Sequence, residues 1–308
     1  MASATVLVTG ATGFVGVLLT SKLQSAGYRV IVAARGVGNS GNTSLESVRL
    51  PLPDEPDSEF EAILGGIDHV VHLAAIAHTS LENAAGLYNS VNYVLPVKLA
   101  RAADKIIGGK FIFMSSIRAQ SASVYHGVAL ETDDPRPTDD YGRAKLNAEI
   151  EIAKIMHRRN YTILRPVLVY GPGVKGNMAA LLKLAALPIP LPFGSLVGKR
   201  SLADRTSLCD AVLHCLIEPE TDGGTFIVAD RNPVTIPQIV GAMRRSQKRS
   251  PSLFTCPAWV MDILARVTGQ RRRWDTLNGD LVASSALLQS TGWQAVENTA
   301  SEIEKLAG

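Results

Sequence analysis

The stretch YGRAK, residues 141–145, sets Tyr141 and Lys145 four positions apart. On a helix that spacing puts two side chains on one face, one turn apart. A phenol with its ordinary pKa near ~10 is a poor acid–base group at neutral pH. An ammonium beside it favours the phenolate and lowers that pKa. A tyrosine tuned in this way can give a proton to a carbonyl oxygen as hydride arrives, or take one in reverse. The same five residues also suit a turn of plain surface helix, so the chemistry depends on what the rest of the chain supplies.

Hydride chemistry needs a dinucleotide, and VTGATGFVG (8–16) offers a cradle for one. Gly10, Gly13 and Gly16 follow an apolar run and open a helical one. Gly10 allows a tight turn, Gly13 lets a pyrophosphate approach the backbone, and Gly16 lets the helix pack on the sheet. The free N–H groups and positive end of the helix then face the phosphates. An acid at the end of the second strand would accept from the ribose 2′-hydroxyl of NAD. Here that strand ends VAAR, with Ala34 in the acid's place and Arg35 after it. Arginine can pair with a 2′-phosphate, which favours NADP over NAD. Asp68 could hold the adenine amine or simply cap a turn.

These residues need a frame. Strand candidates are 4–9, 28–34, 47–50, 68–75, 110–116, 161–166 and 225–230, and helical stretches at 13–27 and from about Tyr141 alternate with them. Such alternation predicts βαβ units: an α/β fold with a doubly wound parallel sheet. After Pro166 the rhythm breaks into a Gly- and Pro-rich segment (170–200), and residues 232–308 read as mostly helical. The expected division is a dinucleotide-binding domain of 1–166, joined by the strand near 225–230, and a smaller, partly interleaved substrate region of 167–224 and 231–308.

The 308 residues are 46% hydrophobic and 19% charged, with net charge +3, too weakly basic to argue for nucleic acid. No apolar run reaches membrane-spanning length and the N-terminus lacks a signal pattern, so a cytoplasmic protein with no membrane partner is expected. Cys209, Cys215 and Cys256 show no CxxC pairing and read as reduced packing thiols. The histidines form no metal-ligand cluster, so no metal is expected.

TGATGFVG (9–16), DHVVHLAA (68–75), FIFMSS (111–116), YGRAK (141–145) and LRPVLVYGPG (164–173) occur in that order. Together they resemble the extended short-chain dehydrogenase/reductase family, in its NAD-dependent epimerase/dehydratase group, over nearly the whole chain. The resemblance implies a Rossmann-type fold. It implies that Gly10, Thr12, Gly13, Phe14 and Val15 hold the dinucleotide phosphates, with Arg35 and Asp68 towards the adenosine. Leu73, Ala74, Ala75 and Ser115 would line the dinucleotide site, and Pro166, Val167 and Leu168 would flank the nicotinamide. Lys145 would also bond the nicotinamide ribose. Asn92 would be a structural support. A hydroxyl at the end of the fifth strand would polarise the reacting carbonyl. Ser115 and Ser116 both stand there, and spacing to the tyrosine in similar sugar epimerases selects Ser116. The catalytic set is then Ser116, Tyr141 and Lys145, and a homodimer through the tyrosine helix is the expected assembly.

A 4,6-dehydratase needs acids where this chain has Ile117 and Arg118, which argues against dehydration. LAAIAH, SSIRAQ, YGPGVKGN and RSL resemble the bacterial 4-keto-hexosamine reductases of the quinovosamine route. This implies reduction of a UDP-linked 4-keto-6-deoxy-N-acetyl sugar, a nucleotide-sugar substrate met by Ser116, Arg118, Asn177 and Arg200. Leu168 stands where many sugar epimerases carry an asparagine. Lys175, Lys199 and Arg271–Arg273 are further phosphate candidates, whereas Arg244, Arg245, Lys248 and Arg249 read as solvated surface. The alternatives are a nucleotide-sugar 4-epimerase, a reductase of a hydrophobic ketone or aldehyde, and a non-catalytic dinucleotide sensor.

Overall fold

The computed structural model describes residues 3–36, 45–77, 84–174, 176–267, 269 and 271–305. The strand β1 (Thr5–Thr9) reads TVLVT, and all five residues are buried. An unbroken β-branched and aliphatic run of this kind suits a strand covered on both faces. It sits near the middle of a seven-stranded parallel sheet. Running outward on one side are β2 (Arg29–Ala34) and β3 (Glu46–Arg49); on the other are β4 (His69–His72), β5 (Phe111–Met114), Tyr161–Pro166 and Gly224–Val228. The order reverses at β1, and in open sheets of this type ligands bind beyond the carboxyl ends of the strands at that reversal.

Alternate residues of each strand face opposite sides. Val6 and Val8 pack with Leu19 and Leu23 of α1 (Gly16–Ser25) and with Leu208 and Val212 of the helix Arg205–Ile217. Leu7 packs the other way, with Phe60 of α2 (Asp57–Ala62), with Leu99 of α4 (Leu95–Ile106) and with Ile152. Between α2 and α4 lie the short α3 (Ala84–Tyr88) and a π-helical turn, Asn89–Val94. Buried Asn92 in that turn accepts from the Ile76 N–H at 2.9 Å and donates to the Ile76 carbonyl at 2.8 Å. It ties down the loop that leaves β4.

Several expected elements end early at their carboxyl sides. The strand expected over 68–75 stops at His72, and the one over 110–116 stops at Met114. The helix expected from residue 13 begins at Gly16. In each case the residues left out of the regular element form the loops at the reactive edge of the sheet.

Beyond Pro166, Leu168–Tyr170 pairs in parallel with Leu202–Asp204. Tyr170, Leu202, Ile239, Val240, Trp274 and Ile303 belong to a separate apolar cluster. The helix Ile236–Ser246 starts on a capping box between Thr235 and Gln238. One expectation fails on this helix. Arg244 is not solvated: it is 2% exposed and donates to the carbonyls of Ala185, Leu187, Ile189, Pro251 and Ser252. A guanidinium's planar fan of donors suits such a cluster of loop carbonyls. Cys209 and Cys215 are buried and unpaired, and burial pushes both thiols up to about 12.

Candidate active site

The glycine loop closes because side chains are absent. Gly10 has φ +71°, and a Cβ there would lie 2.7 Å from the Ala74 nitrogen. A Cβ on Gly16 would overlap the Gly10 carbonyl. Thr9 links the same two loops: its hydroxyl accepts from the Ala74 N–H at 3.1 Å and bonds His72 Nδ1 at 2.9 Å. A cleft of about 460 Å³ opens above, lined by Gly10–Gly13, Val32–Arg35, Leu50–Pro53 and Leu73–Ile76, with Ser90, Val91 and Leu95. Its size, its glycine-bare floor and its place at the strand ends fit a dinucleotide. Among the described residues that line it there is no carboxylate, and Arg35 supplies a cation. Phe14 and Val15 follow this loop, half-buried at the start of α1.

Asp68 lies elsewhere. It precedes β4 at the amino edge of the sheet, with the four residues of that strand between it and Leu73. Its Oδ2 accepts from the Thr5 N–H at 2.7 Å. At ~3.3 Å per strand residue it is far from any adenine in the cleft. The apolar loop Leu50–Pro53 lines the cleft instead. Sequence reading missed this loop because it has no chemical side chain; its position after β3, on the reactive edge, was the available signal.

The second half of the site lies at the carboxyl end of β5. Ser115 and Ser116 leave the strand in opposite directions. Ser115 is 3% exposed, its hydroxyl donates to Glu149 Oε1, and its N–H bonds the Leu164 carbonyl at 2.7 Å. Its side chain therefore serves the interior. Ser116 caps the short helix α5 (Ile117–Gln120), its oxygen accepting from the Arg118 N–H at 3.2 Å. That bond leaves its hydroxyl proton free to donate.

The helix α6 (Asp140–Ile155) brings up Tyr141 and Lys145. Asp139 caps it, accepting from the Gly142 N–H at 2.7 Å, and also pairs with Arg118 at 2.5 Å. Gly142 lets α6 press against α5, since a Cβ there would collide with the Arg118 carbonyl. This is why the residue after the tyrosine is glycine. The contact brings Tyr141 to Ser116, whose hydrogen bond opposes the rise of the phenol pKa. Tyr88 stands edge-on to Tyr141, with ring centres 5.9 Å apart. Burial pushes the phenol above its ordinary value, and the Ser116 hydroxyl pulls it back.

Lys145 is 1% exposed. Its ammonium donates to the Met114 carbonyl at 2.8 Å and lies 4.6 Å from the Phe113 ring centre. Burial draws its pKa down to about 7, with the Glu149 carboxylate opposing. The ammonium thus faces the end of β5, and the expected lowering of the phenol by Lys145 is not the dominant effect: burial is. Glu149, one turn beyond Lys145, forms a buried pair with Arg165, with Arg165 Nε 3.0 and 3.1 Å from its two oxygens. Arg165 also donates to Gln120. Asp139, Gly142 and Glu149 escaped the sequence reading, although an acid before a helix and an acid at i+4 from a lysine are readable signals.

The remaining expected residues divide. Leu168 is exposed at the site's side of its strand, but Val167 is buried among Ile117, Ala203 and Ile227, so only its backbone can serve a ligand. Pro166 is buried at the end of its strand. Arg118 has a second guanidinium nitrogen, Nη1, that is buried without a partner, and its charge draws the Tyr141 phenol down. Arg200 is half-buried and donates to the Gly279 carbonyl at 3.0 Å, and no contact ties it to Ser116 or Tyr141 among the described residues. Arg271 pairs with Asp262 and Asp275. Lys175 and the side chains of Asn177, Arg272 and Arg273 lie outside the described residues. His72 is fully buried, with Nε2 unpartnered, and burial draws it down to about 3, so it is a neutral strut under Thr9.

Comparison with known proteins places this geometry. The NAD dependent epimerase/dehydratase family matches residues 6–229. A UDP-glucose 4-epimerase of Vibrio cholerae is 33% identical over 298 residues, covering 94% of this chain and 90% of that protein. A dTDP-4-dehydro-6-deoxy-D-allose reductase of a Streptomyces species is 33% identical over 190 residues, 56% of this chain and 58% of its own. The crystal structure of UDP-N-acetylglucosamine 4-epimerase from Bacillus cereus superposes with a TM-score of 0.76, at 21% identity over 99% of both chains. That last likeness speaks to the fold.

Proposed function

This chain belongs to the NAD dependent epimerase/dehydratase family, and from that premise we propose that it reduces the 4-keto group of a UDP-linked deoxy-amino sugar with NADPH. One observation carries the hydride and proton chemistry that this reading needs: Ser116, Tyr141 and Lys145 meet at the carboxyl end of β5, beside a cleft fit for a dinucleotide.

The nicotinamide coenzyme supplies hydride to the sugar C4 when bound. Tyr141, held protonated by burial, gives its phenolic proton to the carbonyl oxygen, so the keto group gains hydride at carbon and a proton at oxygen. Ser116 donates a hydrogen bond to that same oxygen and stabilises the charge that develops on it. Lys145, fixed by the Met114 carbonyl, would hold the coenzyme ribose with its remaining N–H groups, and its positive charge stabilises the phenolate left on Tyr141 once the proton is given. Arg118 serves the sugar side, and Arg200 the nucleotide phosphates. Residues 1–166, joined by the strand near 225–230, bind the coenzyme, and 167–224 with 231–308 hold the substrate. Arg35 in the cleft, with no carboxylate among its described lining residues, supports NADP over NAD.

A second reading, a UDP-sugar 4-epimerase, is favoured by the relative from Vibrio cholerae. It uses the same residues on a retained coenzyme. The two part on one assay: UDP-hexoses incubated with the purified enzyme and no added coenzyme stay unchanged if it is a reductase. Their interconversion would establish the epimerase.

A further inference from the structure

The helix Ala258–Val267 turns Trp259, Ile263 and Val267 to solvent, one turn apart at i, i+4 and i+8. Trp259 is 67% exposed and Val267 81%. A surface helix ordinarily turns such a stripe inward. Two loops extend the apolar surface, with Leu187, Ile189 and Phe254 also exposed. The loops are joined by backbone bonds: Leu191 N–H to the Ser252 carbonyl, Phe254 N–H to Leu191 and Gly194 N–H to Phe254, each 3.0 Å. Buried Arg244 fastens both from beneath, bonding carbonyls at Ala185, Leu187 and Ile189 in one and at Pro251 and Ser252 in the other. The exposed apolar groups are therefore held by built structure.

The charge around them is one-sided. The chain as a whole is nearly balanced, with 31 Lys and Arg against 28 Asp and Glu. Yet residues 171–203 and 231–261 contain no Asp or Glu, while they include Lys183, Lys248 and Arg249 next to the two loops; Arg245 of the same stretch pairs with Glu304 at 2.5 Å. Lys183 and Lys248 are exposed and have no carboxylate partner among the described residues. Arg249 is exposed and bonds the Ala186 carbonyl at 2.6 Å. The acid on the stripe's own helix, Asp262, is taken by Arg266 at 2.7 Å and Arg271 at 3.6 Å.

Exposed tryptophan and aliphatic groups, with Lys183, Lys248 and Arg249 flanking the two loops, complement the surface of an anionic bilayer. Tryptophan settles at headgroup depth, aliphatic side chains enter the acyl boundary, and lysines are drawn to the surface charge. No helix among the described residues is long and apolar enough to cross a membrane. We propose that the face built from the helix Ala258–Val267 and the loops 184–194 and 251–256 docks this protein peripherally on an anionic phospholipid surface. The proposal goes beyond the catalytic reading and does not depend on it, and it departs from the expectation of no membrane partner, which rested on the lack of a spanning segment and says nothing of a docked surface.

The test uses the intact protein with vesicles of phosphatidylglycerol and phosphatidylcholine, against vesicles of phosphatidylcholine alone. Of the three tryptophans, Trp274 and Trp293 are 8% and 4% exposed, so a change in emission reports Trp259. Docking predicts at least tenfold greater co-sedimentation with the anionic vesicles, with a blue shift of emission. A Trp259→Ser, Ile263→Ser double variant loses the binding about tenfold, and Lys248→Glu with Arg249→Glu weakens it several-fold, each with an unchanged circular-dichroism melt. Should one pair fail to fold, the other decides. The idea is overturned by absent binding to anionic vesicles, or by equal binding of the folded variants. A lipid-free dimer that Trp259→Ser dissociates would also overturn it, by assigning the face to a second copy. Tyr141→Phe binds vesicles like the parent, so failure of the catalytic reading leaves this result untouched.

Discussion

Two buried lysines bracket β5, one at each end. Lys110, just before the strand, is 8% exposed; Lys145, whose ammonium reaches the strand's last residue, is 1% exposed. Lys110 is surrounded by partners: the Glu218 carbonyl at 2.5 Å, the Thr221 hydroxyl at 3.3 Å and the Asp222 carboxylate at 2.7 Å. Lys145 has one carbonyl and an aromatic face, and no carboxylate within ion-pair distance among the described residues. A buried charge costs stability unless its partners replace water. Lys110 meets that condition and acts as structure. Lys145 does not, and its pKa falls to about 7. Under-partnered titratable groups of this kind gather where ligands complete them. The amino edge of the sheet is thus closed and the carboxyl edge is poised.

The largest test of this contrast removes the group that the poised end serves. Tyr141→Phe should lower kcat by about 10³ while leaving the melting temperature within a degree or two, because one phenolic oxygen is lost and the ring stays. Steady-state kinetics beside thermal melts would show it. Next is Lys145→Met, with an expected loss of about 10² in kcat and a gain in stability. The sign follows from linkage. The folded pKa of about 7 is below the unfolded value of 10.5, so the unfolded chain holds the extra proton between these limits. Stability from this group is present above pH 10.5 and lost as pH falls to about 7. The variant's advantage should therefore be greatest near and below pH 7, roughly 2–4 kcal/mol, and fade towards pH 10. Urea unfolding at several pH values measures it.

Lys110→Met should behave the other way. It leaves Asp222 and the Glu218 carbonyl short of a donor, for a loss of about 2 kcal/mol, with kcat of the folded enzyme unchanged. A drop in kcat without destabilisation would break the comparison. The smallest expected effect is at the far end of the cleft: Arg35→Ser should shift the NADPH-to-NADH preference about tenfold towards NADH, read from kcat/KM for each coenzyme.

The sequence was most informative where one residue type answers one physical demand. Gly10 and Gly16 are needed because backbone approaches backbone there, and that demand is visible as spacing. Tyr141 and Lys145 share a face because they are four residues apart on one helix. The sheet strands were legible for the same reason, as unbroken apolar runs. What was not legible depends on the third dimension. Asp68 has the right chemistry for an adenine but stands at the wrong end of its strand. Ser115 and Ser116 are identical in type, and only the Glu149 side chain behind the sheet separates their roles. Arg244 lies in a basic run that reads as surface, yet it is folded inward by carbonyls from two loops, one of them 59 residues away in sequence. In each case the deciding partner is remote in sequence.

The most direct test of the central claim is coenzyme consumption. Purified enzyme is mixed with NADPH and a UDP-4-keto-6-deoxy-N-acetylhexosamine, and the absorbance of the reduced coenzyme is followed. One NADPH should be oxidised per sugar reduced, more slowly with NADH, and the oxidation should be lost in Tyr141→Phe. No oxidation by the folded wild-type enzyme, or oxidation that survives in Tyr141→Phe, would contradict it.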